Sequence, residues 1–233
     1  PKKVEVSGGP PQTLCDASFL TGGAWGPDGA IIFAGFPTGP LRRVAAAGGE
    51  AKPVTTLDAS RQETLHSRPA FLPDGRHFLY HAAATQAENS GVYVGSLDSK
   101  DTRRLVGGAG NAVYAAAASG QGYLLFARGD PLMAQPFDAK KLELSGEAFP
   151  IAERVAAGMG GMPGAAFSVS ENGVLAYQSG GGTNTTQLVW YDRNGKRLEP
   201  VGPPGDYSNP ALSPDEKKLA VGRTDPAAKT RDL

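Results

Sequence analysis

Short apolar runs recur along the chain, and each follows a tight-turn sequence. Trp25-Gly-Pro-Asp-Gly29 precedes Ala30-Ile-Ile-Phe-Ala34, and Leu72-Pro-Asp-Gly75 precedes Arg76-His-Phe-Leu-Tyr80. Ser170-Glu-Asn-Gly173 precedes Val174-Leu-Ala-Tyr177, and Ser213-Pro-Asp-Glu216 precedes Lys217-Lys-Leu-Ala-Val221. A copy without Pro-Asp, Ser119-Gly-Gln-Gly122, stands before Tyr123-Leu-Leu-Phe-Ala127. The aligned positions 29, 75, 122, 173 and 216 are 46, 47, 51 and 43 residues apart, a regularity that decides the fold before any single element is considered. In each turn Pro presets one backbone angle, Asp or Asn caps the bend with its side chain, and Gly takes the positive φ that a hairpin needs. Asp28, Gly29, Asp74, Gly75, Asn172, Gly173 and Asp215 are therefore read as structural turn residues.

Each repeat has one internal order. A short apolar strand such as Ala70-Phe-Leu72 or Ala166-Phe-Ser-Val169 leads into the turn, and the strand after it, Ile31-Ile-Phe33 or Phe78-Leu-Tyr80, is apolar at nearly every position. Apolar residues on both sides of a strand predict burial on both faces. A third strand follows a Gly- or Ser-rich loop: Leu41 to Val44, Val92 to Val94, Leu132 to Gln135 or Gln187 to Tyr191. A second turn, such as Ala47-Gly-Gly-Glu50 or Arg193-Asn-Gly-Lys196, leads to a more polar fourth strand, Pro53 to Leu57 or Thr102 to Leu105. Four strands in about 47 residues, repeated, predict an all-β fold, a β-propeller of four-stranded antiparallel blades. No amphipathic crossover helix recurs, which excludes a parallel α/β fold. The best helical rivals, Ser60 to Ser67 and Asn111 to Ser119, fall outside the four-strand pattern and read as loop or strand-edge segments.

The ends of the chain are out of phase with the repeat. Val4-Glu-Val6, Ser7-Gly-Gly9 and Gln12-Thr-Leu14 match a third strand, turn and fourth strand, whereas Pro210 to Val221 and Thr230 to Leu233 match strands one, two and the start of three. The whole chain, 1–233, is expected to be one propeller domain, with a part-blade at about 1–20, blades at 21–58, 66–106, 110–156 and 165–203, and a part-blade at 207–233. The part-blades either close a five-bladed ring or are the edges of a larger one; the cut arc is preferred. The first residues, Pro1-Lys-Lys, include no Met and no apolar leader, so the chain is expected to be part of a longer protein.

Composition narrows the function classes. The 23 Lys and Arg balance 23 Asp and Glu, which argues against a nucleic-acid binder with its basic face. Gly and Pro, 32 and 19 of 233 residues, disfavour an all-α chain. No apolar run reaches the roughly 18 residues of a spanning helix. The single Cys15 rules out an internal disulfide framework.

Longer stretches carry a resemblance. The Pro-Asp-Gly turn before an apolar strand is similar to the WD-repeat-like propeller repeat of TolB, the tricorn protease and the propellers of prolyl oligopeptidases. Phe71 to Tyr80, Leu132 to Asp138, Ala166 to Tyr177 and Gly205 to Asp215 together resemble the C-terminal propeller of bacterial, especially acidobacterial, eukaryotic-like serine/threonine protein kinases. The resemblance covers nearly the whole chain. It implies an N-terminal kinase domain, usually separated by a membrane span, and an extracytoplasmic or periplasmic propeller. The Gly-rich loop, the Val-Ala-Ile-Lys strand, the His-Arg-Asp loop and Asp-Phe-Gly are all missing from this chain, so kinase activity does not carry over. The third copy departs by lacking Pro-Asp and the fifth by having Glu216 where Gly is expected, so those two turns are expected to be longer or less regular.

The chemistry-bearing residues are few. His77 and His81 have the i, i+4 spacing of a helical metal site, but on a strand that spacing separates them by roughly 13 Å, so no metal site is expected. His66, at a place where the resembling propellers commonly have His, is expected to make a buried hydrogen bond tying a loop to the inner strand. No Gly-x-Ser-x-Gly elbow occurs, nor the sialidase Asp-box. Gly107-Gly-Ala-Gly110, Gly158-Met-Gly-Gly161 and Gly180-Gly-Gly182 open no helix and read as connectors, not phosphate loops. Asn184-Thr-Thr186 is a formal glycosylation sequon of little weight in a bacterial-looking sequence.

Two function classes follow. One is a non-catalytic interaction or sensing module with a protein or peptide partner, no nucleic acid, no membrane insertion by this chain and no cofactor. The other is a hydrolase-type propeller acting on sugars or peptides through funnel carboxylates such as Asp58 and Asp206. In a propeller the loops from strand four to the next strand one, and from strand two to strand three, gather on one rim. They are expected at Asp58 to Arg68, Gly107 to Val113, Ala156 to Ala165, Pro203 to Asn209, Ala84 to Ser90 and Gly180 to Thr185. These loops hold the candidate binding residues Arg61, Glu63, His66, Arg68, Asp206 and Tyr207, with Arg61, Arg68 and Tyr207 as the leading contacts. The opposite rim, made of short hairpin turns, is expected to offer little to a ligand.

Overall fold

The computed structural model describes residues 1–4, 7–18, 21–117, 120–156, 164–170, 173–178, 186–191, 196–205, 207–212, 219–224 and 231–232. Strands dominate, and no α-helix occurs among the described residues. Residues 1–180 form one compact unit and residues 181–233 a second.

In the first unit β1 (Lys2–Lys3) pairs with β2 (Gln12–Thr13). The first blade orders β3 (Gly23–Trp25), β4 (Ala30–Phe33), β5 (Arg42–Ala45) and β6 (Lys52–Pro53) as consecutive antiparallel neighbours. The second does the same with β7 (Glu63–Phe71), β8 (His77–Ala84), β9 (Gly91–Ser96) and β10 (Arg103–Gly107). The third holds β11 (Ala112–Ala116), β12 (Gly122–Ala127) and β13 (Leu132–Asp138), with both β14 (Glu143–Leu144) and β15 (Phe149–Ala152) pairing on β13. The inner hairpin of a fourth follows, β16 (Phe167–Val169) with β17 (Leu175–Tyr177). The second unit contains the hairpin β18 (Thr186–Tyr191) with β19 (Arg197–Gly205), and the sheet β20 (Tyr207–Leu212), β21 (Leu219–Thr224) and β22 (Arg231–Asp232).

The apolar second strands explain the packing. Side chains alternate across a strand, so a strand buried on both faces must be apolar throughout. Ile31 and Phe33 of β4 turn toward Leu14 and Val44, while Ile32 turns the other way into a cluster with Phe78, Tyr80 and Ala82 of β8. Leu79, between Phe78 and Tyr80, faces a third cluster with Leu124 and Phe126 of β12. A fourth joins Ala127 and Leu132 to Val155, Ala165, Phe167 and Leu175. Each cluster is a layer between successive sheets, so β4, β8 and β12 are each sandwiched. Ile32, Phe33, Phe78, Leu79, Leu124 and Phe126 are at most 1% exposed, and each such side chain contributes ~1.5–3 kcal/mol of burial.

The turns follow the expected chemistry. Asp28 Oδ1 accepts from the Ala30 amide at 3.0 Å, and Asp74 Oδ1 accepts from the amides of Arg76 and His77 at 2.9 Å each. Gly29, Gly75 and Gly173 have φ of +79°, +66° and +82°. Asn172 and Asp215 lie outside the described residues. In the third copy the sequence alignment is off by two positions: the left-handed glycine is Gly120 (φ +82°), and Gly122 already belongs to β12. Gly120 donates to the Ala117 carbonyl, as Gly29 does to Gly26, so this turn keeps the regular length despite lacking Pro-Asp. Gly75 is doubly constrained, because a Cβ there would also overlap the Pro27 ring of the preceding blade's turn. Gly75→Val is expected to destabilise the fold by ~2 kcal/mol or more, read as a lower denaturant midpoint, from left-handed strain plus the overlap.

Candidate binding site

The sequence places Glu63, His66 and Arg68 in a loop ending at Arg68, with a three-residue strand after it. The structure corrects this: β7 spans nine residues, and of the expected loop only Asp58 to Gln62 precedes it. The upper half of β7 reads as polar because its groups are satisfied by the preceding blade. The Gly39 amide donates to Thr64 O, the His66 amide to Gly39 O, and the Arg68 amide to Thr21 O. Likewise the segment Asn111 to Ser119, expected as a loop or strand edge, contains a full strand, β11.

Within this end of β7 a buried polar network forms. Asp58 caps the short 3₁₀ turn Ala59–Arg61 by accepting from the Ser60 amide at 2.8 Å. The turn brings the Arg61 guanidinium to Asp58 Oδ2 at 2.8 Å and, through Nε, to Glu63 Oε1 at 2.9 Å. Glu63 Oε2 also accepts from the Asp58 amide at 2.7 Å and from His66 Nε2 at 3.0 Å. His66, fully buried, meets Thr55 Oγ1 through Nδ1 at 2.8 Å, and that oxygen accepts from the Leu41 amide at 2.9 Å. One assignment of protons satisfies every group: Nε2 carries the imidazole hydrogen and the Thr55 hydroxyl donates to Nδ1. An aromatic stack closes the loop, with His66 on Tyr80 (4.8 Å between ring centroids), Tyr80 on Tyr93 (5.8 Å) and Arg61 over Tyr93 (5.1 Å). The chain therefore joins Leu41 and Thr55 of the first blade to the β7–β8–β9 face of the second.

The electrostatics match this bonding. Burial would raise the Glu63 carboxyl, but the Asp58 amide, His66 and Arg61 together hold it below the usual carboxylate range. Burial lowers the His66 imidazole against the opposing pull of Glu63. Arg61, Glu63 and His66 are thus occupied with one another. The expectation that His66 ties a loop to the inner strand is met in modified form, since His66 is itself on that strand and its partners are Thr55 and Glu63.

Arg68 is different. The β7–β8 ladder pairs Ser67 with His81 and Ala70 with Leu79, leaving Arg68 and Pro69 in a bulge. Arg68 has φ +53°, in the left-handed region that non-glycine residues rarely occupy. A Cβ on Gly22 would lie 3.0 Å from the Arg68 Cα, so the preceding blade approaches the bulge through a glycine. The guanidinium is half-buried, its pKa lowered by desolvation, and among the described residues it meets no carboxylate. Beside it His81, 3% exposed, has its pKa pushed down to about 4 by burial and by the Arg68 and His66 charges. Asp206 lies outside the described residues, and of Tyr207 the structure gives the backbone, in β20. His77 bonds the turn residue Asp74 at 2.5 Å. Among the described residues no three His, Cys, Asp or Glu side chains cluster as a metal site would require.

The turn rim is less closed than its sequence suggests. A groove of about 670 Å³ opens between the outer strands of the first blade and the β9–β10 turn of the second, lined by Arg43, Glu50, Lys52, Asp98 and Lys100. Another of about 540 Å³ lies between Asp74 and the turns at Gln121 and Asp138. Adjacent sheets touch at their inner strands, such as β3 against β7, and the hairpin tips beyond them leave space that turn chemistry does not reveal.

No family model matches the chain, and no curated protein is significantly similar to it. Solved structures are. TolB from Acinetobacter baumannii aligns with a TM-score of 0.53 at 17% identity, covering 99% of this chain and 58% of its own. Regucalcin, a calcium-binding protein from Agrobacterium tumefaciens, aligns at 0.49 and 15% identity, over 87% of this chain and 67% of its own. A prolyl endopeptidase aligns at 0.46 and 17% identity, over 99% of this chain and 37% of its own. This chain thus spans a little over half the length of that TolB. The repeated antiparallel sheets, with inner strands touching in sequence order and a TolB-like course, are those of a β-propeller.

Proposed function

We propose that this chain is a non-catalytic β-propeller module that binds a protein or peptide partner. The finer reading is a TolB-like protein or the C-terminal propeller of a bacterial receptor-type protein kinase, on the extracytoplasmic side. The observation that carries the binding reading is the division of labour among the polar residues at the head of β7. Glu63 is buried and held ionised by Arg61, His66 and the Asp58 amide. A general acid requires the opposite, a raised pKa and an open face. Arg68, in contrast, keeps an uncommitted charge on a bulge, and bulges on a rigid sheet serve to re-aim a side chain. The hydrolase reading needs two carboxylates roughly 5–10 Å apart in the funnel, and that of Asp58 is already paired with Arg61.

The test presents the purified chain with a displayed random-peptide library and, separately, with chromogenic aryl glycosides and peptide p-nitroanilides. Saturable peptide binding without turnover is the expected result. Turnover proportional to protein concentration, retained through successive purification steps, would overturn the reading.

A further inference from the structure

At the inner end of the second blade two polar side chains stand without protein partners and a third is only partly satisfied. The Arg68 guanidinium has no ion pair or hydrogen bond among the described residues. The neighbouring Thr21, whose carbonyl accepts the Arg68 amide, has a buried hydroxyl with no hydrogen-bond partner. The His81 ring has one contact, Ser67 Oγ at 3.5 Å from Nδ1, which leaves Nε2 unpaired. Buried polar groups are ordinarily satisfied, and a desolvated cation without a counter-charge is costly. A left-handed backbone at Arg68 adds strain of the kind that persists at ligand sites.

The placement is built as well as unpaired. Pro69 cannot donate to the ladder, and the Arg68 amide turns to Thr21 instead of β8, so the bulge is held from both sides. The guanidinium lies against the backbone of Gly164, where a Cβ would come within 2.7 Å of Cζ. A flat cation seated on a glycine keeps its N–H edge available for a planar, two-oxygen acceptor. His81 is neutral at pH 7 and adds no competing charge.

We propose that Arg68 anchors a carboxylate-binding site at the inner end of the second blade, one that takes the free carboxylate of a peptide or of a small organic acid. This rests on the reading of the chain as a binding module and specifies its ligand chemistry. A carboxylate there would supply the counter-charge that the fold withholds from Arg68.

The test follows backbone amide resonances of Thr21, Gly22 and Arg68 in ¹⁵N-labelled full chain, titrated at constant ionic strength with acetate, N-acetyl-Ala-Ala and N-acetyl-Ala-Ala-amide. The expected result is a saturable shift with acetate and with the free acid and none with the amide; a tighter response to the peptide acid than to acetate assigns the source as a chain terminus, and equal responses assign a small acid. Arg68→Gln is expected to weaken the response about tenfold or more, and Arg68→Lys less. Equal shifts with acid and amide, or an undiminished response in a folded Arg68→Gln or Arg68→Lys chain, would overturn the site. Loss of this site with peptide selection still positive leaves the module reading intact, whereas substrate turnover would remove that reading and not the anion site.

Discussion

Glu63→Ala should lower the unfolding free energy by ~3–5 kcal/mol, the range for breaking a buried, hydrogen-bonded charge network from one side. The carboxylate is 1% exposed and accepts from Arg61, His66 and the Asp58 amide. Its removal strands the His66 ring hydrogen and the Asp58 amide in a layer shared by two blades and takes from Arg61 one of its two carboxylate partners. Glu63→Gln should cost less, since its amide oxygen still serves the Asp58 amide or Arg61, although its NH₂ would confront the His66 Nε2 hydrogen. Denaturant unfolding with an unchanged m-value and a lower midpoint is the expected observation. A loss under ~1 kcal/mol for the alanine variant would mean that the network is incidental to the joint between the blades.

That network also marks the limit of what the sequence discloses. The second strands at 31–33, 78–80, 124–126 and 175–177 fall within β4, β8, β12 and β17, and 219–221 within β21, because an apolar run after a tight turn has little choice of structure. The head of β7 was not legible. Glu63, His66, Ser67 and Arg68 have the composition of a loop, and they form a strand only because Gly39, Thr21 and Thr55 of another blade meet their backbone and side chains. Partners that distant in sequence leave no local periodicity. The turn glycine of the third copy shows the converse: two glycines, Gly120 and Gly122, fit the motif, and only the hydrogen bond to Ala117 selects the first. The unpaired state of Arg68 had no sequence signal, since Glu63 is nearer in the chain but is claimed by Arg61 and His66.

Acidification should destabilise the fold in two separable stages, and the first belongs to histidine. His81 is held to about 4 against an ordinary value of 6.5, with Arg68 and His66 the charged and titratable groups facing it, and His66 is also lowered. Between these values the unfolded chain binds protons that the folded chain refuses, so stability falls as pH drops from about 6.5 toward 4 and is fully present above that window. The displacement of His81 alone corresponds to ~3 kcal/mol when the window is crossed. The carboxylates of Asp58, Glu63 and Asp74 are lowered too, here because hydrogen bonds favour their ionised form. Their depressed values add stability above the ordinary carboxylate range, and it is lost only as pH falls below about 4. Unfolding free energies measured from about pH 7.5 down to about pH 3 should therefore decline first over the histidine range. His81→Asn should flatten that first decline while leaving the second in place, because the amide does not titrate and the carboxylate set is unchanged. A His81→Asn chain with the same slope as wild type between about pH 6.5 and 4 would assign the acid sensitivity to His66, and through it to the joint with Glu63 and Thr55.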